Sequence, residues 1–162
     1  MNYVTILLRL LHIFSAFVWF GVSATMTVYI VPALAVAGEP GLRYYRTLLT
    51  SNKTLALVFP VSAGLTTLAG ILLYVVGGAT SHFSSNGNVV LAIGAVAGLL
   101  AAVHGGTSLT KYTNDLAKTA LTGDAAAVNE FQRRAALLVS HSRISFALML
   151  VALVFMGSAR YL

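Results

Sequence analysis

Residues 89–109 read VVLAIGAVAGLLAAVHGGTSL and contain no Asp, Glu, Lys or Arg. A helix of this length is about 32 Å long, at roughly 1.5 Å per residue. The hydrocarbon core of a bilayer is about 30 Å thick. The stretch therefore predicts a membrane-spanning helix.

Three further runs have the same character, at 4–36, 55–76 and 135–159, and the first is interrupted only by Arg9 and His12. None of the four runs contains Asp or Glu, which argues against a carboxylate relay inside the membrane. The chain of 162 residues is 58% apolar and 9% charged, whereas soluble domains carry about 25% charged residues. We predict an all-α fold, an integral membrane four-helix up-down-up-down bundle with residues 1–162 as its single transmembrane domain.

The basic residues fall mainly in two of the three connections. Connections 38–54 and 110–134 carry seven of the ten Lys and Arg residues, and connection 77–88 carries none. Short basic loops stay on the cytoplasmic side. We expect both termini outside an integral protein of a prokaryotic cytoplasmic membrane, with lipid as its surroundings and no nucleic-acid partner. Residues 124–131 can extend the fourth helix inward, and the stretch RYYR at 43–46 is typical of a membrane-edge anchor.

The chain has no cysteine, so histidine is the main candidate metal ligand. His104 and His141 lie at matched depth near the basic ends of the third and fourth runs. Two such histidines can be the axial ligands of one haem b, and copper or zinc also binds imidazole. The alternative is a pair of histidines hydrogen-bonded to serines such as Ser140 and Ser142.

Two features accompany this pair. Gly94, Gly98, Ala101 and Gly105 form a smooth helical stripe, which admits either a porphyrin or a neighbouring helix. Arg143 either reaches the headgroups or pairs with a haem propionate or a quinone oxygen.

A second site is predicted around His12 in the outer half of the first run. The small residues Ser15, Ala16 and Ser23 share its helical face with Trp19, and Arg9 lies one turn earlier. A haem here would have Arg9 near its propionates and Trp19 as a wall, with His82 or Met156 as second ligand. Alternatively, His12, His82 and Met156 hold copper, or His12 is a hydrogen-bonded interfacial histidine.

The segment LHIFSAFVWFG at 11–21 resembles the first helix of copper-resistance protein D (CopD)-like membrane proteins and, more distantly, of HemJ-type protoporphyrinogen oxidases. Both groups place an early His before a Trp and a Gly, here His12, Trp19 and Gly21. Residues 102–104 and the closing ALVFMGSARYL are also similar to the CopD-like group. The resemblance implies a helical bundle with copper handling in one branch and haem redox chemistry in the other, and carries over only His12 as a ligand.

These observations lead us to expect a membrane protein that binds one or two haem b groups and transfers electrons, with quinone as a possible partner. Copper uptake or delivery is the alternative, and an accessory subunit packed through Gly94 and Gly98 is a third. The accessory subunit would associate with other membrane subunits, and self-association into a homo-oligomer is also open.

Overall fold

The computed structural model describes residues 3–51, 53–76, 85–120, 122 and 124–162, with no side-chain description for 51–56. In this part every regular element is helical. The α-helices are α1 (Tyr3–Thr25), α2 (Val31–Ala37), α3 (Glu39–Ser51), α4 (Lys53–Val76), α5 (Asn86–His104), α6 (Thr110–Ala117) and α7 (Ala125–Ser158). π-helical turns join α1 to α2 (Met26–Ile30) and α5 to α6 (Gly105–Leu109), and a 3₁₀ turn (Ala159–Tyr161) follows α7.

Four of these segments are long and apolar enough to cross a membrane: Tyr3–Ala37, Leu57–Val76, Asn86–Ala117 and Ala125–Tyr161. Their outer faces expose large apolar side chains, such as Phe14 at 76% and Phe17 at 75%. Large exposed apolar surface of this kind is costly in water and suits contact with lipid chains. The predicted all-α fold with four apolar spanning helices is confirmed.

The helix starts follow from local chemistry. The Ser85 hydroxyl accepts a hydrogen bond from the Asn88 amide at 3.3 Å, which caps α5. The Asp124 carboxylate accepts one from the Ala127 amide at 2.7 Å and caps α7. Helix α7 therefore begins ten residues before position 135, so the predicted extension of the fourth helix is confirmed from residue 125 onward, while its inward direction stays a prediction.

One π-helical turn lies where a backbone hydrogen bond is missing, and the other lies where two glycines give the backbone more conformational freedom. Pro32 has no amide hydrogen to give the carbonyl of Val28, and Met26–Ile30 widens just before it. The second widened turn begins at Gly105 and Gly106, immediately after His104.

Connections 38–54 and 110–134 contain more helix than the sequence predicted. Gly38, at φ 65°, makes the turn, and α3 starts at once with Glu39 instead of after Pro40 and Gly41. The expected loop is an amphipathic helix that packs on α2, α6 and α7. Their shared core consists of Val31, Leu34, Leu42, Tyr45, Leu116, Phe131, Ala135 and Leu138.

This packing corrects the interpretation of 43–46 as a membrane-edge anchor for Tyr45 and Arg46, whereas Arg43 and Tyr44 are exposed and their anchoring role stays a prediction. Tyr45 is only 2% exposed, and its burial raises the pKa of its phenol, an effect that a hydrogen bond to Thr113 partly offsets. Arg46 donates to the carbonyl of Ala117 at 2.7 Å and to that of Thr119. It thus satisfies carbonyls at the C-terminal end of α6, where the helix dipole favours a cation.

Two helix pairs make the most extensive contacts, α1 with α4 and α5 with α7. Along the second pair, Gly87 lies against Ala159, and His104 further along contacts Ser145. Helices α5 and α7 are therefore antiparallel. The sides of the membrane on which the termini and connections lie stay a prediction.

Candidate functional site

Three of the four histidines lie in polar clusters within the two helix pairs. His12 lies between α1 and α4, and we call it, with Ser15, Ser62, Thr66 and Gly70, the His12 cluster. His104 and His141 lie between α5 and α7 and are called the histidine pair. His82 falls outside the described residues, so its predicted role as a ligand stays a prediction.

One hydrogen bond fixes which nitrogen of the neutral His12 ring carries the proton. Its Nδ1 lies 2.8 Å from the backbone carbonyl oxygen of Thr66. Because a carbonyl only accepts, Nδ1 must carry the proton, and the neutral ring then presents a lone pair at Nε2. Metal-bound histidines have this arrangement, in which the nitrogen opposite the metal donates to a carbonyl or carboxylate.

Glycine on α4 makes this approach possible. A Cβ at Gly70 would lie 3.0 Å from Cε1 and 3.2 Å from Nδ1 of His12, closer than ordinary contact. One turn earlier, the hydroxyl oxygen of Thr66 lies 2.9 Å from that of Ser15 and 2.7 Å from the Ser62 carbonyl oxygen. The ring is thus seated between hydroxyl-bearing turns of two helices in an apolar span.

The predicted neighbours of His12 are placed unevenly. Trp19 follows two turns later on α1 and is half-buried, whereas Arg9 lies one turn earlier and is exposed. Met156 packs instead between α5 and α7, where its Cγ is 2.8 Å from the position of a Cβ on Gly94. The contacts of Gly94 favour the helix-packing interpretation of the glycine stripe.

The histidine pair is held by direct hydrogen bonds. His104 Nε2 lies 3.0 Å from His141 Nδ1, and His104 Nδ1 lies 2.7 Å from the Ser145 hydroxyl. The two rings lie side by side, with 5.2 Å between their centroids and 18° between their planes, and Tyr112 stacks on His141 at 4.2 Å. The structure thus brings together the two histidines that the sequence singled out and adds a serine and a tyrosine.

The spacing of the pair does not suit an iron between the rings. Imidazole nitrogens bind transition metals at about 2.0–2.1 Å, so two opposed ligands stand about 4 Å apart. The observed 3.0 Å leaves the pair about 1 Å too close. In this arrangement the pair can pass a proton. If both rings exchange tautomers, a proton is carried along the hydrogen-bonded series from His141 through His104 to Ser145, or in the reverse direction.

Two further findings bear on metals and cofactors. Among residues the structure describes, no group of three or more His, Cys, Asp or Glu side chains could hold a metal ion. Haem needs only one or two protein ligands, so a single well-oriented histidine is the relevant feature. Arg143 is exposed in a groove on the outer face of α7, away from the face buried against α5.

Five residues of these clusters were missed by sequence reasoning: Ser62, Thr66, Gly70, Tyr112 and Ser145. Ser62, Thr66 and Gly70 recur every four residues in an apolar run, which is a detectable stripe of small and polar residues. Ser145 lies one turn from His141, a spacing that also could have been noticed. Tyr112 lies eight residues after His104 in the same continuous helical segment, Asn86–Ala117, and the prediction of a loop from residue 110 concealed that spacing.

Comparison of the chain with protein-family models, with curated proteins and with solved structures found no match.

Proposed function

We propose that this protein binds one haem b through Nε2 of His12 and transfers electrons within the membrane, with quinone as the redox partner. The observation that carries the proposal is the hydrogen bond from His12 Nδ1 to the Thr66 carbonyl, which leaves Nε2 as a lone-pair donor inside an apolar span. Ionisable residues at such depth are costly and are functional candidates by default.

The surrounding residues support this role. The carbonyl of Thr66 orients the imidazole by accepting the hydrogen bond from Nδ1. This hydrogen bond also makes Nε2 a stronger ligand for a metal. Trp19 offers a flat apolar wall on the same face of α1, and Arg9 offers a cation for propionates. Bound haem would supply one-electron redox chemistry to the site.

A single haem agrees better with the geometry than two do. Nε2 of His104 and Nδ1 of His141 are 3.0 Å apart and hydrogen-bonded to each other, and the other ring nitrogen of His104 is hydrogen-bonded to Ser145. We assign the pair instead to the quinone side, where a proton would pass from the pair to the reduced quinone and be replaced along the His104–His141 hydrogen bond. Reduction of a quinone consumes protons together with electrons, and imidazole is suited to supply them.

Copper handling draws less support from the arrangement. Of its three proposed ligands, Met156 packs between α5 and α7 against Gly94 and Gly98. An accessory role through the Gly94 face is likewise weakened, because that face is covered by α7 of the same chain.

The test is a reduced-minus-oxidised visible spectrum of the detergent-purified protein, with a pyridine haemochrome assay of stoichiometry. We expect a b-type signal and one haem per chain. Two haems per chain would contradict the assignment of the histidine pair. A colourless protein, after expression with adequate haem supply, would reject the proposal, and bound copper would then favour the alternative.

A further inference from the structure

The outer face of α7 carries an arginine inside an apolar segment. Arg143 lies nine residues after Arg134, which is about 13 Å along the helix. It lines a groove of about 490 Å³ together with Ala136, Val139, Ser140, Ile144 and Ala147. Val139 is partly buried against the core, but the other positions are exposed and lie opposite buried residues of α7 such as Leu138 and Ser145, so the groove opens away from the bundle.

Among the described residues, no acidic side chain forms an ion pair with Arg143. Within the described part of the chain, Arg143 makes no hydrogen bond or ion pair, and the ion pairs found there use Arg43, Arg133 and Arg134. No Asp or Glu occurs between 135 and 159. A guanidinium at this depth needs an anionic partner, because an unpaired charge in hydrocarbon is costly.

We propose that this groove binds an anionic phospholipid, with its phosphate on Arg143 and Ser140 and an acyl chain along Ile144 and Ala147. Side chains on a helix lean toward its N-terminus, so the guanidinium reaches back over Ser140 toward the end of α7 that carries Arg134. The polar groups thus lie nearer the membrane edge and the apolar ones deeper, which is the order of polarity in a phospholipid. Guanidinium also matches phosphate through paired hydrogen bonds.

A second copy of the chain is a poorer occupant of the groove. A two-fold axis through this face would bring two Arg143 side chains together without an acidic residue between them, and like charges repel strongly where the dielectric constant is low. Charge complementarity therefore favours the lipid.

The experiment is native mass spectrometry of the full chain with phosphatidylglycerol or phosphatidylcholine of identical acyl chains. We expect the unaltered protein to prefer phosphatidylglycerol, and Arg143→Gln to weaken its binding about fivefold, since one basic residue contributes about 1 kcal/mol. Arg143→Lys should retain part of the preference, because lysine keeps the positive charge but lacks the paired N–H donors of the guanidinium group.

The matched control is Arg133→Gln, which removes an exposed arginine of the same helix that is already paired with Glu130. It should leave lipid binding unchanged. Helical circular dichroism and a single size-exclusion peak establish that each variant is folded. Equal binding of the two lipids, or equal losses in Arg143→Gln and Arg133→Gln, would overturn the proposal. Increased dimerisation of Arg143→Gln without loss of lipid would also overturn it and indicate a second copy.

Discussion

Gly70→Ala tests the seating of His12 with a single added methyl group. The new Cβ would lie 3.0 Å from Cε1 of His12, and ordinary contact begins at 3.4 Å, so the ring must retreat by about 0.4 Å. The Thr66 carbonyl lies one turn from residue 70 on the same helix. A ring pushed off residue 70 is therefore pushed off that carbonyl too, and the 2.8 Å hydrogen bond lengthens.

The consequences for stability and for haem binding differ in size. A hydrogen bond inside a membrane bundle contributes about 0.6 kcal/mol, and alanine in place of glycine restores about 1 kcal/mol of helix propensity. Stability should therefore change little. Loss of the partner that orients a metal-binding histidine costs about 10–100-fold in affinity, so haem occupancy should fall in Gly70→Ala.

The assay is a haem titration followed by absorbance, together with thermal unfolding in detergent. Gly64→Ala is the matched control, because it lies on the same helix and a Cβ there meets nothing within 4 Å. Gly64→Ala should bind haem normally. If Gly70→Ala binds haem as tightly as Gly64→Ala, then the Thr66 hydrogen bond does not orient the ligand and the reasoning fails.

Two predictions concern stability. Gly94→Ala places a Cβ 2.8 Å from Cγ and 3.0 Å from the backbone nitrogen of Met156, whereas at Gly98 the contacts are an ordinary 3.7 and 3.8 Å. Overpacking should cost Gly94→Ala about 1–3 kcal/mol, whereas Gly98→Ala should lose no packing and gain about 1 kcal/mol of helix propensity; equal thermal midpoints of the two variants would contradict the close packing of α5 on α7. Arg46→Met removes a charged donor from two carbonyls at the end of α6 and should cost about 1.5–3 kcal/mol. Arg43→Met, which breaks an exposed pair with Glu39, should cost less than about 1 kcal/mol, and chemical unfolding that ranks the two variants the other way would refute the capping role.

The spanning helices could be predicted from sequence because the requirement is one-dimensional: about 20 apolar residues suffice, whatever they pack against. Helices α3 and α6 were harder to predict. Their stability comes from a core shared with α2 and α7, in which Leu42 and Leu116 are fully buried. The local sequence pattern of α3 or α6 does not reveal that these helices pack together. Glu39 directly after Gly38 is a start signal that the Pro40–Gly41 pair obscured.

The candidate site was predictable in its residue types and not in its distances. Matched depth on two helices was enough to pair His104 with His141. Whether Nε2 of His104 and Nδ1 of His141 stand 3 or 4 Å apart decides between a hydrogen bond and a metal, and that depends on how closely α5 and α7 approach at the pair itself. The carbonyl that orients His12 could not be anticipated either, since every residue has one and only packing selects Thr66.

The measurement that tests the central claim most directly is the reduced-minus-oxidised spectrum of three variants beside the unaltered protein. His12→Ala should lose the b-type signal, because it removes the proposed ligand, while His104→Ala and His141→Ala should keep it. Retention of haem by His12→Ala, together with its loss from either other variant, would place the iron at the histidine pair and contradict the account.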